Sequence, residues 1–264
     1  MINDFDKIAP SYDRHREPEK EVLDTLLELF KNSRPRQLLL DIGCGTGRYS
    51  IDVTKRFRLC LVGIDISREM IRIAKTKLPM GIFIRGKVED MISGFKPKSF
   101  DYVLSCQVLH LVDRCKVFPE IRRILRDQGK LVIITFDQDQ FCQDVFHRYI
   151  PHILAIDLQR YPGIAEIRKE LEEMDFNVDI IKVRCDRRIS NAYDVERLVK
   201  KGKARFFSTL AHVDENELSE SLEKMRRELM SQLKKGSITQ EREHTIVVGR
   251  KLKKEKGQSW KVNE

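Results

Sequence analysis

Residues 38 to 48 read Leu-Leu-Leu-Asp-Ile-Gly-Cys-Gly-Thr-Gly-Arg, an apolar run that passes straight into a loop with glycine at Gly43, Gly45 and Gly47. Alternate glycines let a backbone turn sharply and approach a ligand closely, with its N–H groups turned toward it. The spacing is the discriminating part. A dinucleotide fingerprint reads G-x-G-x-x-G, whereas here the third glycine arrives one residue early and Arg48 stands in its place. A second apolar run, Leu61-Val-Gly-Ile-Asp65, ends in an acid 18 residues after Gly47. A carboxylate there has acceptor sites for both hydroxyls of an unmodified ribose, so the two features together ask for an adenosine-containing ligand.

Asp41-Ile-Gly-Cys-Gly-Thr-Gly47, Gly63-Ile-Asp-Ile-Ser67 and Phe100-Asp-Tyr-Val-Leu-Ser105, in that order, resemble the motifs of class I S-adenosylmethionine-dependent methyltransferases. The likeness is to the small-molecule type that includes ubiquinone and menaquinone C-methyltransferases and trans-aconitate methyltransferase. Asn3-Asp-Phe-Asp-Lys-Ile-Ala-Pro-Ser-Tyr-Asp13 resembles the segment that opens many such enzymes, and the resemblance covers about residues 5 to 136. It implies an α/β fold, a Rossmann-like doubly wound seven-stranded sheet of order 3-2-1-4-5-7-6 with the last strand antiparallel, carrying helical insertions. It also implies S-adenosyl-L-methionine as cofactor and in-line methyl transfer to a small-molecule acceptor.

The resemblance assigns site residues one by one. Gly43, Cys44, Gly45 and Gly47 would hold the methionine end of the cofactor, with Asp41 near its amino group and Asp65 on the ribose. Ile66 and Met70 would flank the adenine, and Ser67 would cap the following helix. Relatives commonly read the adenine edge with Gly-Asp-Ala-Glu; here Gly86-Lys-Val-Glu89 leaves the contact to Val88 and Glu89, because Lys87 cannot accept a hydrogen bond. Cys106 lies in Ser105-Cys-Gln-Val-Leu-His110, the segment that faces both sulfonium and acceptor. It follows Ser rather than Pro, and no Asn-Pro-Pro-Tyr occurs there, so nucleic-acid base methylation is the weaker reading. His110 is the candidate general base if the acceptor must lose a proton, a packed histidine being the alternative, and Tyr12 would close over the cofactor.

The elements that must position these residues follow from periodicity. Apolar residues at Val22, Leu23, Leu26, Leu27 and Phe30 predict a helix over Glu19 to Phe30. Strands are expected at Gln37 to Asp41, Arg58 to Asp65, Gly81 to Arg85, Phe100 to Ser105 and Gly129 to Phe136. Helices are expected at Thr46 to Lys55, Ser67 to Lys77 and Asp113 to Arg126. Strand and helix alternate, as a parallel sheet with right-handed crossovers requires. Further on, Ile164 to Met174 reads as a helix, and Val178 to Arg184 and Thr245 to Leu252 as strands. The domains expected are an N-terminal lid segment over 1–34, a core over 35–185 and 244–252, an insertion over 186–243, and a basic tail over 253–264. The insertion reads as almost entirely helical, with Leu218, Leu222, Met225, Leu229 and Leu233 on one stripe that suits core or a homodimer seam. Asp137 to Tyr161 with Asp186 to Phe207 would form a lid, placing His147, Tyr149 and His152 as acceptor contacts.

Composition bounds the rest. A chain of 264 residues with 41% hydrophobic content suffices for one elaborated α/β domain. There is no apolar stretch of membrane-spanning length, and the Met-Ile-Asn-Asp-Phe-Asp start lacks a signal-peptide pattern, so a cytoplasmic protein is expected. Its six cysteines form no C-x-x-C pair, and no metal site is expected. The net charge of +9 comes largely from the stretch from Asp186 to the last residue, where 19 basic residues meet 13 acidic ones; a solvated Lys/Glu surface is the expected reading. The alternatives are an RNA or protein methyltransferase docking through that basic region, a non-catalytic cofactor-binding module, and a nicotinamide oxidoreductase, which the early third glycine disfavours.

Overall fold

The computed structural model describes residues 5–253. Asn3 and Asp4 of the opening motif, and all of the basic tail beyond Lys253, lie outside the described residues.

The chain opens with helices α1 (Phe5–His15) and α2 (Lys20–Phe30), then alternates β1 (Leu38–Ile42), α3 (Ser50–Phe57), β2 (Cys60–Asp65), α4 (Arg68–Lys77), β3 (Ile82–Arg85), α5 (Val88–Ile92), β4 (Phe100–Cys106), α6 (Arg114–Ile124) and β5 (Leu125–Thr135). Helices α7 (Val145–Tyr149), α8 (Pro151–Arg160) and α9 (Ile164–Glu172) lead to β6 (Phe176–Arg184). The insertion holds β7 (Arg187–Ile189), α10 (Ala192–Lys203), α11 (Glu215–Leu233) and β8 (Ile238–Gln240), and β9 (Glu243–Lys251) returns to the sheet.

Seven strands form one sheet in the order β3-β2-β1-β4-β5-β9-β6. The first five are parallel, and β9 runs antiparallel to both β5 and β6. With β9 as its seventh strand, this is the 3-2-1-4-5-7-6 arrangement. Side chains alternate across it: in β5, Leu131 and Ile133 enter a core with Phe118 and Ile121 of α6. Val132 and Ile134 enter the opposite core with Leu26 and Phe30 of α2. Burial on both faces is why these strands read as continuous apolar runs.

The insertion departs from the sequence expectation at both ends. Instead of being almost wholly helical, it begins and ends in strands: β7 and β8 continue the β6–β9 ribbon in unchanged register, with Arg184 opposite Glu243 and Arg187 opposite Gln240. The insertion therefore grows out of an antiparallel ribbon. Its stripe, Leu218, Leu222, Met225 and Leu229, is buried in a third core with Phe146, Ile153, Val195 and Val199, while Leu233 packs partly buried at its edge. Of the two readings of that stripe, core or a homodimer seam, this burial fits the first. Among the described residues no helix is long and apolar enough to cross a membrane.

Helix α3 also starts later than expected, at Ser50 rather than Thr46. Gly45 and Gly47 both adopt positive φ, +52° and +74°, and hold the intervening loop out of the helix.

Candidate active site

The carboxyl ends of β1, β2 and β4 open into a cavity of about 340 Å³, at the point where the connections of an open sheet diverge to opposite faces. Tyr12, Gly43, Gly45, Asp65, Ile66, Met70, Val88, Glu89 and Cys106 all line it. Asp41 and Cys44 line a smaller recess that shares Tyr12, Gly43, Gly45 and Cys106 with it. Gly47 stands behind the loop, where a Cβ would lie 2.4 Å from Ile51. The sequence thus brings its cofactor candidates to one place.

Local geometry shows why. Gly43, at φ +62°, has Val108 pressed so close that a Cβ would lie 2.4 Å from its methyl group, whereas a Cβ on Gly45 would meet nothing within 4 Å. One glycine closes the loop against the segment that follows β4, and the other leaves room in front of it. Asp65 is oriented by two backbone amides: Gly45 N–H donates to Oδ2 at 2.7 Å and Ser67 N–H to Oδ1 at 2.8 Å. Burial raises its pKa, and those two amides oppose the rise. A carboxylate offers about four acceptor sites, so one on each oxygen remains for a ligand.

Asp41 is fully enclosed, and its Oδ1 has no hydrogen-bond partner. Burial pushes its carboxyl up to about 7; the Ser50 hydroxyl opposes this and the Asp65 charge adds to it. An acid with one buried oxygen unpartnered beside the glycine loop, with the empty space at Gly45, fits a ligand that carries a ribose and an ammonium group. The nearby thiols are not nucleophiles at neutral pH. Burial pushes Cys106 up to about 11, and Cys44 also lies well above its ordinary value.

Helix α1 is clamped across the loop. Asp6 accepts from Ser67 Oγ and from Glu69 N–H at the start of α4, and Asp13 accepts from Thr46 Oγ1 at 2.6 Å. Phe5 and Tyr12 are thereby held in the cavity wall. Ser67 caps α4 as expected, its hydroxyl accepting from Met70 N–H. Glu89 lines the cavity, but its Oε1 accepts from Asp113 N–H, which ties it to the start of α6.

His110 does not line the cavity. Its ring stacks on Tyr161 at 4.0 Å, and burial, with the Arg160 and Arg16 charges, brings its pKa down to about 3. The imidazole is therefore neutral. Tyr161 in turn donates to Gln107 Oε1 at 3.5 Å, and Gln107 Nε2 lies 3.5 Å from His244 Nδ1. His244 Nε2 abuts Glu19, which also pairs with Arg187 at 2.8 Å and Arg242 at 3.1 Å. Burial brings His244 down to about 4, so it is a neutral ring donating to Glu19. Glu19, Cys185 and His244 offer three ligand atoms within 4.8 Å of one another, but both arginines already occupy the carboxylate. Sequence reasoning missed this chain of contacts, whose members lie up to 225 positions apart with no common motif.

Beyond Tyr161 lies a second, aromatic chamber of about 70 Å³, walled by Phe136, Phe141, Phe146, Phe206 and Phe207. His147 lies in its wall, bonded to Asp157 at 2.9 Å; Tyr149 is buried in the third core, and His152 is on the surface beside Glu217. Of the three candidate acceptor contacts, only His147 borders the chamber.

Comparison with known proteins agrees with this geometry. Residues 40–133 match the family described as a methyltransferase domain. An uncharacterised protein of Methanocaldococcus jannaschii is 34% identical over 176 residues, which are 66% of this chain and 82% of that one. A probable S-adenosylmethionine-dependent methyltransferase of Saccharomyces cerevisiae is 28% identical over 156 residues, 55% of this chain and half of that protein. The crystal structure of a proposed methyltransferase from an antibiotic biosynthesis pathway of Anabaena variabilis superposes with a TM-score of 0.68 at 21% identity, covering 89% of this chain and 98% of that one, and so shares its fold. The chain belongs to the class I S-adenosylmethionine-dependent methyltransferases, with S-adenosylmethionine as the cofactor.

Proposed function

We propose that this chain transfers a methyl group to a small-molecule acceptor enclosed between the cofactor cavity and the aromatic chamber. The observation that carries the reading is Asp65, fixed by two amides with one free acceptor site on each oxygen, beside the same loop as Asp41, whose Oδ1 is buried without a partner. Asp65 would take the two ribose hydroxyls, and Asp41 the ammonium of the methionine end. Ile66 and Met70 would cover the adenine, and Val88 its edge. Tyr12, Cys106 and Gln107 would surround the methyl end, because they line both the main cavity and the recess that holds Asp41.

Bound, the cofactor supplies an electrophilic methyl group on a sulfonium, lost by in-line displacement. The protein's part is alignment and exclusion of water; holding two reactants at near-attack distance is worth about 7 to 11 kcal/mol at the best measured effective molarities. The segments 137–161 and 186–207 would act as the lid, contributing Tyr161 and the phenylalanine wall. His110, neutral and stacked on Tyr161, would position that ring. Removal of an acceptor proton, where one is needed, would fall to a group in the cavity wall, with Tyr12 the candidate.

The test is incubation of the purified protein with methyl-labelled S-adenosylmethionine and a fractionated cell extract. Label entering only the low-mass fraction supports the proposal. Label entering RNA or protein would replace it with the macromolecular reading.

A further inference from the structure

We propose that the acceptor carries an oxyanion, carboxylate or phosphate, bound by Lys201 and Arg16 in the aromatic chamber; the inference rests on the methyl-transfer reading above. Lys201 is only 5% exposed, yet its ammonium has neither a hydrogen bond nor a carboxylate partner among the described residues. Its close contact is the Phe206 ring, at 5.8 Å. Arg16 stands over the same ring at 5.7 Å, and its Nε is buried without a partner. A buried lysine and a half-buried arginine thus both lie against one aromatic ring, with no acid hydrogen-bonded to either among the described residues, an arrangement that is unfavourable until an anion enters.

The acids around the chamber are engaged with other groups. Asp144 and Asp157 close on His147, which they keep protonated up to about 9 against the effect of burial. Glu19 is shared by Arg187 and Arg242. At the rim, Glu243 pairs with Lys182 and Glu241 with Arg184. Burial, and then the like charges of Arg187, Arg197 and Arg242, bring Lys201 down to about 8 against the opposing charge of Glu17. Of the groups that line the chamber, Arg16, Arg187, Lys201, Arg242 and the protonated His147 are cations and Asp144, Asp157, Glu241 and Glu243 are acids, so its aromatic wall encloses one positive charge in excess.

Its position suits an acceptor's anchoring end. Arg16 follows Tyr12 by one helical turn, its N–H bonded to the Tyr12 carbonyl at 2.8 Å, and Tyr12 lines the cofactor cavity. Tyr161 lines the chamber and donates to Gln107, which lines the cofactor cavity. An oxyanion on Lys201 and Arg16 would leave the rest of a compact, apolar-bodied molecule pointing past Gln107 toward the methyl donor.

The test titrates the protein saturated with S-adenosylhomocysteine with three probes of similar shape: phenylacetate, phenyl phosphate and the neutral phenylacetamide. At least one anion should bind while the amide does not, and the preferred anion distinguishes carboxylate from phosphate. Lys201→Met should weaken that binding by about tenfold or more, leave S-adenosylhomocysteine affinity unchanged, and raise the melting temperature of the ligand-free protein, since it removes an unpaired buried charge. Arg16→Met should weaken the anion in the same way. Equal binding of the amide, no anion binding, or an unchanged affinity in Lys201→Met would overturn the proposal. Failure of S-adenosylhomocysteine itself to bind would instead overturn the methyl-transfer reading.

Discussion

Asp13 accepts a 2.6 Å hydrogen bond from Thr46 Oγ1, so an acid near the start of the chain is tied to the middle of the glycine loop. Its other oxygen pairs with Lys77 at 2.6 Å, and Lys77 also donates to the Thr46 carbonyl at 3.1 Å. The opening helix is thus a strap fastened across the loop, and Tyr12, the residue before, is held in the cavity wall by that fastening.

Releasing the strap should loosen the cofactor more than the fold. For Asp13→Ala we expect S-adenosylhomocysteine affinity, read by titration calorimetry, to fall about fivefold. That corresponds to about 1 kcal/mol for a partly exposed charged hydrogen bond. The melting temperature should change little.

The glycine loop separates folding from binding at adjacent sites. Gly45→Ala places a methyl group where nothing stands within 4 Å, so stability should fall by only about 1 kcal/mol, for a residue at φ +52°. Cofactor affinity should fall by about tenfold or more, because that methyl enters the binding space. Gly43→Ala drives its methyl group into Val108 and should destabilise the fold by about 2 kcal/mol or more. Chemical denaturation and calorimetry on both variants check the contrast.

Asp41 gives a pH signature. Its folded-state pKa is raised from 3.8 to about 7, so its contribution favours the fold below about pH 4 and is lost as pH rises through 7. Asp41→Asn should therefore stabilise the ligand-free protein at pH 8, by a shift on the order of 5 °C in melting temperature. In the wild type, an ammonium bound beside Asp41 favours its ionised form. Binding of S-adenosylhomocysteine should then release protons near pH 7 and weaken as pH falls below it, a trend that Asp41→Asn should flatten.

The buried histidines act in the opposite direction. His244 and His110 are depressed to about 4 and about 3, so their contribution is present above pH 6.5 and is lost as pH falls toward those values. Wild-type stability, followed by thermal melts, should decline between pH 6.5 and 4, and His110→Phe, which keeps a ring against Tyr161, should lessen the decline.

The cofactor half of the site was legible because it is local. Gly43 to Gly47 and Asp65 sit at strand ends whose apolar runs mark them, and the turn chemistry allows few other residue types there. The sheet order followed from the motif resemblance. The acceptor half was not legible: Arg16, Tyr161 and Lys201 come from three distant segments that meet only in the folded chain, and a lone buried lysine leaves no periodic trace. Helix α1 was obscured by Pro10, which breaks the helical pattern yet is accommodated within the helix. The short strands β7 and β8 were hidden because three residues are too few to show alternation.

The central claim is that the glycine loop and two acids hold the methyl donor, and a crystal structure of the protein soaked with S-adenosylhomocysteine tests it most directly. The account predicts both ribose hydroxyls on the Asp65 carboxylate, the ammonium within hydrogen-bond reach of Asp41, and the sulfur facing Gln107. Ligand bound elsewhere, or a ribose with no contact to Asp65, would contradict it.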